Sequence, residues 1–503
     1  MRAVLVLALG FHYTYLILAL KNNSSSVIIV GAGPAGIAAA TKLLSNGFHN
    51  ILILEAEPRI GGRINSVKFF DAYVDLGARW CHGQVNNIVY DMVKDMNLLG
   101  RNEFSKKLYH SSRKFVDQKF VDDFFKIVED IYEGHDDKKI NYTNLGEYCE
   151  EEYIKIVNEK FGNDPTKHEL ALSMVHFFEF YVLGGEGSFS WHDIAAVADY
   201  QECEGEKLQN WYGKGYKTFL DVLMKKYPNP KKQLPVDDKI LLNKDVSKIQ
   251  WNQSAMNKSV KLWCSDGSTY EADSVIFTPS VGVLKERAEE IFTPRLPQIK
   301  LDAIRNIGFG AVMKVYMHFP HIWWGNLTGF NLLWSEEDSK AAVQEFLEGP
   351  NWKGRSWISY MSHVLEADQN PHVLVAWFTG PLIPAIEILP NEVLINGIYF
   401  SLEKFLGHIY RVTKPDSIIP SKWYTNPHFR GTYSFQTPEA HRTSAESILA
   451  QPLNNYDNSP ILMFAGEATN PTHYGTVQGA VETGYREANR ILKIPFCYPI
   501  PIK

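Results

Sequence analysis

The chain has 503 residues, 45% hydrophobic and 13% aromatic, and its 51 Lys and Arg against 57 Asp and Glu give a net charge of −6. That balance can bury a large core, so it excludes disorder over most of the length, and Gly and Pro (35 and 25 residues) are too few for a collagen-like or linker-dominated chain. The acidic total gives no electrostatic footprint for nucleic acid, and the length predicts two to four domains.

The N-terminus reads as a secretory signal peptide over residues 1–22. Arg2 gives a positive start, and the apolar stretches Ala3 to Phe11 and Tyr15 to Leu20 follow. His12, Tyr13 and Thr14 interrupt them, so the run falls short of the ~20 apolar residues of a membrane span. The expectation is a secreted protein with no stable span after signal removal. An uncleaved anchor is the alternative. Sequons at Asn23, Asn141, Asn252, Asn257 and Asn326 fit a glycoprotein on that route. Cys81, Cys149, Cys203, Cys264 and Cys497 show no C-x-x-C spacing, which leaves room for one disulfide and predicts no metal site. The C-terminal Pro501-Ile502-Lys503 is not a peroxisomal Ser-Lys-Leu signal.

Val27–Val30 predicts a strand buried on both faces. It runs into Gly31-Ala32-Gly33-Pro34-Ala35-Gly36, a helix from Ile37 to Ser45, and a second strand, Ile51–Leu54, ending at Glu55. This is a dinucleotide-binding fingerprint in its required βαβ setting. Gly31 permits the turn, Gly33 lets backbone approach a pyrophosphate, and Gly36 lets helix and strand pack closely. Glu55 is placed for the ribose hydroxyls. Gly61-Gly62-Arg63 follows, a second close-approach segment with a phosphate-pairing side chain, which suits FAD better than NAD.

Further along, Asp75-Leu76-Gly77-Ala78-Arg79-Trp80-Cys81-His82-Gly83 forms a glycine-rich segment. The charge runs Tyr132 to Lys139 and Cys149 to Glu152 read as solvated helix faces, with an acidic rim around a tunnel as the alternative. Ala311 to Met317 predicts a strand with Val312, Lys314 and Tyr316 on one face. Leu462 to Ala465 predicts a strand feeding Gly466-Glu467. A final helix over about Gly479 to Leu492 places Ala480, Gly484 and Ala488 on one close-packing face.

These motifs, with Phe277 to Lys285, Asn306 to Gly310 and Phe429 to Ser434, occur in an order that resembles the flavin-containing amine oxidase family, animal-type polyamine oxidases most of all. The resemblance covers Val27 to Leu492. It implies an α/β fold: a Rossmann-like FAD-binding domain (27–90, 215–290 and 430–495) interleaved with an α+β substrate-binding domain (91–214 and 291–429). It implies FAD held by Gly31, Gly33, Gly36, Glu55, Arg63, Gly77, Ala78, Arg79, Trp80, Val246, Trp423, Gly466, Glu467, Thr476 and Val477. The covalent flavin cysteine of monoamine oxidases has no counterpart, so non-covalent FAD is expected. Lys314 matches the family lysine that holds a water against flavin N5, and His82 matches a substrate-side histidine of the animal enzymes. Tyr433 matches one wall of the family's aromatic slot, with Trp423 and Tyr424 nearby. The opposite wall falls on Thr476, with Tyr474 two residues earlier. Glu186 is a candidate for a distal ammonium. The implied activity is oxidation of spermine, spermidine or acetylated polyamines, with O2 giving hydrogen peroxide. The alternatives are an L-amino-acid oxidase, which needs a cation for the carboxylate, a histone-demethylase relative, which needs a long helical insertion that a chain of this length lacks, and an inactive flavoprotein that acts as a binding module.

Overall fold

The computed structural model describes residues 25–101, 104–134, 137–251, 260–368, 370–455 and 458–493. The expected signal peptide, the sequons at Asn23, Asn252 and Asn257, and Cys497 lie outside the described residues. Asn141 and Asn326 are exposed.

An all-apolar strand such as Val27–Val30 is stable only where both faces are covered. It takes the middle of a six-stranded sheet, parallel to Ile51–Leu54 on one side and to Ser274–Phe277 on the other. Pro460–Phe464 adds a further parallel strand, Ile240–Leu241 flanks Ile51–Leu54, and Leu453–Asn454 closes one edge antiparallel. The sheet therefore joins the beginning, middle and end of the chain. Strand alternation divides its side chains between two cores. Val27, Ile29 and Ile276 pack against the helical layer, while Ile28, Val30, Val275 and Phe277 pack on the opposite face.

The helical layer is built for close approach. Pro34–Ser45 buries a run of alanines, and Val477–Leu492 lies against it. A Cβ added at Gly484 would meet the Ala35 carbonyl oxygen at 2.2 Å, so the small face expected of the last helix is the contact face.

The second large sheet is antiparallel apart from one parallel edge pair, Gly329–Leu333 with Lys107–His110. Met313–His318 lies inside it, with Lys314 opposite Trp377 of Asn370–Phe378. Its alternation puts Met313, Val315 and Met317 into the main core and Val312 and Tyr316 into a smaller cluster with Trp377. Helices Gln118–Tyr132, Leu145–Phe161, Pro165–Ser173 and Val175–Glu186 share a further core rich in aromatics. A parallel α/β sheet beside an antiparallel sheet with helices is the architecture the resemblance implies.

The charge run Tyr132–Lys139 is partly as expected: among its described residues Glu133, Asp137 and Lys138 are exposed, while Tyr132 turns inward and Glu133, Asp137 and Lys139 also line a cavity. Cys149–Glu152 is closer to expectation, with Glu151 exposed and only Cys149 buried in the core. The four described cysteines are free, so no disulfide forms among the described residues. No helix among them is long and apolar enough to cross a membrane, and no group of His, Cys, Asp and Glu is arranged to hold a metal.

Candidate active site

A single cavity of about 1720 Å³ runs between the two large sheets. It exceeds the roughly 300–1,000 Å³ of an ordinary ligand pocket, so it has room for two occupants. One end is dinucleotide-shaped. Gly31 (φ +100°), Gly33, Pro34 and Ala35 line it at the start of the first helix, which has no side-chain cap and so leaves early N–H groups free for phosphate. Gly62 faces Gly33 so closely that a Cβ on Gly62 would lie 3.1 Å from the Gly33 Cα. Gly36 does not line the cavity; a Cβ there would meet the Gly31 carbonyl oxygen at 2.0 Å, and its bareness seats the helix on the strand.

Glu55 is buried at the end of its strand. Its Oε2 accepts from the Ala32 N–H at 2.6 Å and its Oε1 from the Glu57 N–H at 2.8 Å. Burial raises its pKa, and these two hydrogen bonds oppose that rise. Each oxygen keeps a lone pair for a ribose hydroxyl. Arg63 joins the two ends of the chain, donating to Glu467 Oε1 at 2.8 Å and to the Thr432 carbonyl at 2.9 Å. Glu467 also accepts from the Gly475 N–H at 2.6 Å and from the Ser434 hydroxyl. Gly77, Ala78, Trp80, Val246, Gly466, Thr476 and Val477 complete the lining. Thr476 caps the last helix, its Oγ1 accepting from the Gly479 N–H at 3.0 Å, so that helix start also faces the cavity. This cradle of bare backbone, ribose acid and two helix starts fits a dinucleotide.

The other end centres on Lys314. Its ammonium donates to the Gly77 carbonyl at 2.6 Å and to the Asp75 carbonyl, which also accepts from the Tyr316 hydroxyl at 2.8 Å. An ammonium has three donors, and the third is left for the cavity that Lys314 lines. Burial, and then the Arg79 charge, push its pKa down, against the pull of Asp75. Arg79 also lines the cavity, but its guanidinium is clasped by Asp368 at 2.9 and 2.8 Å and donates to the Glu366 carbonyl at 3.0 Å. His82, exposed where it lines the cavity, lies edge-on to Trp80; desolvation by the protein around it lowers its pKa, against a hydrogen bond to the Lys207 backbone, and so favours the neutral ring.

Tyr433 and Tyr474 both line the cavity. The Tyr433 hydroxyl donates to the Gly184 carbonyl at 2.8 Å, and Tyr474 packs edge-on to Tyr200 at 5.3 Å. Glu186 accepts from the Tyr132 hydroxyl at 2.8 Å, and burial raises its pKa. Trp423 lines the cavity and donates to the Leu76 carbonyl at 2.9 Å, but Tyr424 does not line it. Consecutive residues point apart, and its ring packs on Phe189 instead.

Three participants escape a reading of the sequence. Trp377 stacks on Trp80 at 5.5 Å with planes 2° apart and lies 5.3 Å from the Lys314 ammonium, so it supplies an aromatic wall. Its place opposite Lys314 across the sheet could be found only by pairing the strands. Glu387, fully buried, accepts from the N–H groups of Trp423, Tyr424 and Thr425 and fixes the loop that carries Trp423. Asp368, the partner of Arg79, carries no local signal at all.

Behind the cavity, His473 Nδ1 lies 2.9 Å from Glu482 Oε2. Burial alone would lower its pKa, but hydrogen bonds to Cys203 and Glu482 hold it up at about 9. A folded pKa above the ordinary 6.5 makes the pair's contribution complete below pH about 6.5 and lost as pH rises through about 9. Thermal midpoints should fall across that window in the native protein and stay flatter in His473→Gln. Parallel curves would exclude the pair as the cause.

A family model described as flavin containing amine oxidoreductase matches residues 34–492. The chain is 29% identical to the peroxisomal N(1)-acetyl-spermine/spermidine oxidase of Homo sapiens, over 93% of this chain and 95% of that protein. It is 28% identical to the probable polyamine oxidase 5 of Arabidopsis thaliana, over 94% and 98%. It is 30% identical to the protein anon-37Cs of Drosophila melanogaster, over 94% and 91%. A solved structure of putrescine oxidase bound to putrescine shares the fold, with a TM-score of 0.65 at 18% identity, over 93% of this chain and 99% of that one.

Proposed function

We propose, from the premise that this chain belongs to the flavin-containing amine oxidoreductases, that its substrate is a polyamine and that its product leaves as an aldehyde and a shorter amine. The chain is an FAD-dependent amine oxidase. The observation that carries the finer reading is the makeup of one cavity: a dinucleotide cradle, then Lys314 between aromatic walls, then the half-buried carboxylate of Glu186. That order suits an extended chain with one amine to be oxidised and another to be anchored.

FAD, when bound, supplies the hydride acceptor and passes the electrons on to oxygen, which leaves as peroxide. The residues prepare the amine. An alkylamine near pKa 10 must lose a proton before its α-carbon can give up hydride, and three pKa units correspond to about 4 kcal/mol. Tyr433, Tyr474, Trp80 and Trp377 exclude water and so disfavour the cation. Neutral His82 offers a ring nitrogen for the released proton, and the free donor of Lys314 can hold a water beside it. Glu186 binds the distal ammonium. An L-amino-acid oxidase would need a free cation for the carboxylate, whereas Arg79, which lines the cavity and whose charge acts on Lys314, is already paired with Asp368.

The deciding experiment is a peroxide assay with spermine, spermidine, N-acetylspermine, a monoamine and L-leucine. Turnover of a polyamine well above the last two supports the reading, and preference for L-leucine overturns it. We also propose that FAD is held without a covalent bond, since no cysteine lies between Cys264 and Cys497. Acid denaturation should release yellow flavin into the supernatant; flavin retained in the precipitate would exclude this. A secretory route is proposed from the apolar N-terminus and from the surface position of Asn141 and Asn326. Protein made in secreting cells should appear in the medium and lose mass with an N-glycosidase.

A further inference from the structure

The mouth of the cavity holds a cation that the chemistry above does not use. The Lys207 ammonium lies 2.8 Å from Glu133 Oε2 and 2.7 Å from Glu202 Oε2. Glu133 caps the end of Gln118–Tyr132, while Glu202 stands in the loop before Gln209–Trp211, so one ammonium ties opposite walls together. All three residues line the cavity. The neighbour of Glu133, Tyr132, reaches inward to hold Glu186. Carboxylates therefore stand at two depths, Glu186 within and the Glu133–Glu202 pair at the rim.

A lysine side chain is an alkyl chain ending in an ammonium, which is the group a polyamine repeats along its length. Lys207 thus has the chemistry of a substrate end. We propose that Lys207 is a built-in competitor for the substrate, and that the Glu133–Glu202 pair it occupies is the outermost ammonium seat of the cavity. This rests on the polyamine reading of the same site. The Lys207 side chain is 45% exposed, and those of Glu133 and Glu202 are 34% and 54% exposed, so water competes for every partner and neither ion pair is strong. A monoamine arriving from solution gains little by displacing Lys207. A polyamine already engaged at Glu186 presents its next ammonium at high effective concentration and displaces it. Apparent affinity falls in proportion to the time the seat is taken, so Lys207 weakens binding of a polycation.

The test compares the holoenzyme with Lys207→Gln and Lys207→Arg, using spermine as the probe. At about pH 8, where His82 is neutral with or without the Lys207 charge that lowers its pKa, Lys207→Gln should lower the KM for spermine by about three- to tenfold with kcat held, and steepen its dependence on salt. Lys207→Arg should behave as the native enzyme. A general effect of removing positive charge is separated by repeating Lys207→Gln in a Glu133→Gln/Glu202→Gln background, where the gain should vanish because no seat is left to free. A KM that is unchanged or raised in Lys207→Gln, or a gain that persists in full without the two carboxylates, overturns the proposal. If the native enzyme oxidises no polyamine, the reading beneath it fails first, and this inference falls with it.

Discussion

Lys314→Met should yield a folded, yellow protein whose turnover is lower by a factor on the order of 10²–10³. Methionine fits the space, because Lys314 is buried between apolar strand neighbours and beside Trp377. Stability should change little, because ending the desolvation penalty on a buried lysine offsets the loss of its attraction to the buried Asp75 carboxylate, which keeps its hydrogen bonds from Ser66 and the Tyr216 N–H. The loss is one of chemistry. The backbone carbonyls of Asp75 and Gly77 orient the ammonium so that one donor faces the cavity, and a thioether has none to offer. Rapid mixing separates the two half-reactions, flavin reduction by amine under argon and reoxidation by oxygen. At least one should slow by the full factor while flavin content and thermal midpoint stay near native. Unchanged rates in both would remove Lys314 from the mechanism.

What the sequence revealed followed from how local each signal is. Val27 to Glu55 is a contiguous βαβ unit in which strand, turn, helix and terminal acid each imply the others, so its fold and role could be read together. The face shared by Val312, Lys314 and Tyr316 follows from strand alternation alone. Glycines were legible where their bareness serves a neighbour in the same unit, as Gly36 does for Gly31. Distant pairings were not. Arg63 was marked as a phosphate partner, but its hydrogen bond to Glu467 depends on the sheet drawing residues from both ends of the chain together. Trp377 looks like an ordinary core residue until its strand is set opposite Lys314. The charges after Tyr132 read as solvated, and Glu133, Asp137 and Lys138 are exposed; what they concealed is the inward turn of the tyrosine at the helix end. Tyr424 erred in the other direction, since one residue of displacement from Trp423 sends its ring to Phe189.

Asp368→Asn should cost more stability than any other single change at the site, on the order of 3–5 kcal/mol, which corresponds to a fall in Tm on the order of 5 °C. Arg79 is 3% exposed, and both hydrogen bonds it makes to a side chain go to the two Asp368 oxygens. The substitution leaves the guanidinium enclosed between Trp80 and Phe104 with its charge unanswered. Removing both charges together, as Arg79→Met with Asp368→Leu, should recover most of the loss, because the cost is that of an unpaired charge. The second consequence reaches the reacting centre. Arg79 pushes the Lys314 pKa down and Asp368 pushes it up, so losing only Asp368 depresses that lysine further. The limb of the pH–rate profile that depends on Lys314 should therefore move to lower pH in Asp368→Asn, while the double variant, having lost the larger opposing charge, should move it to higher pH. Opposite shifts of activity from two variants of one ion pair cannot come from instability alone, which lowers activity without choosing a direction in pH. Coincident profiles would show that the pair holds the wall of the cavity and has no bearing on the lysine.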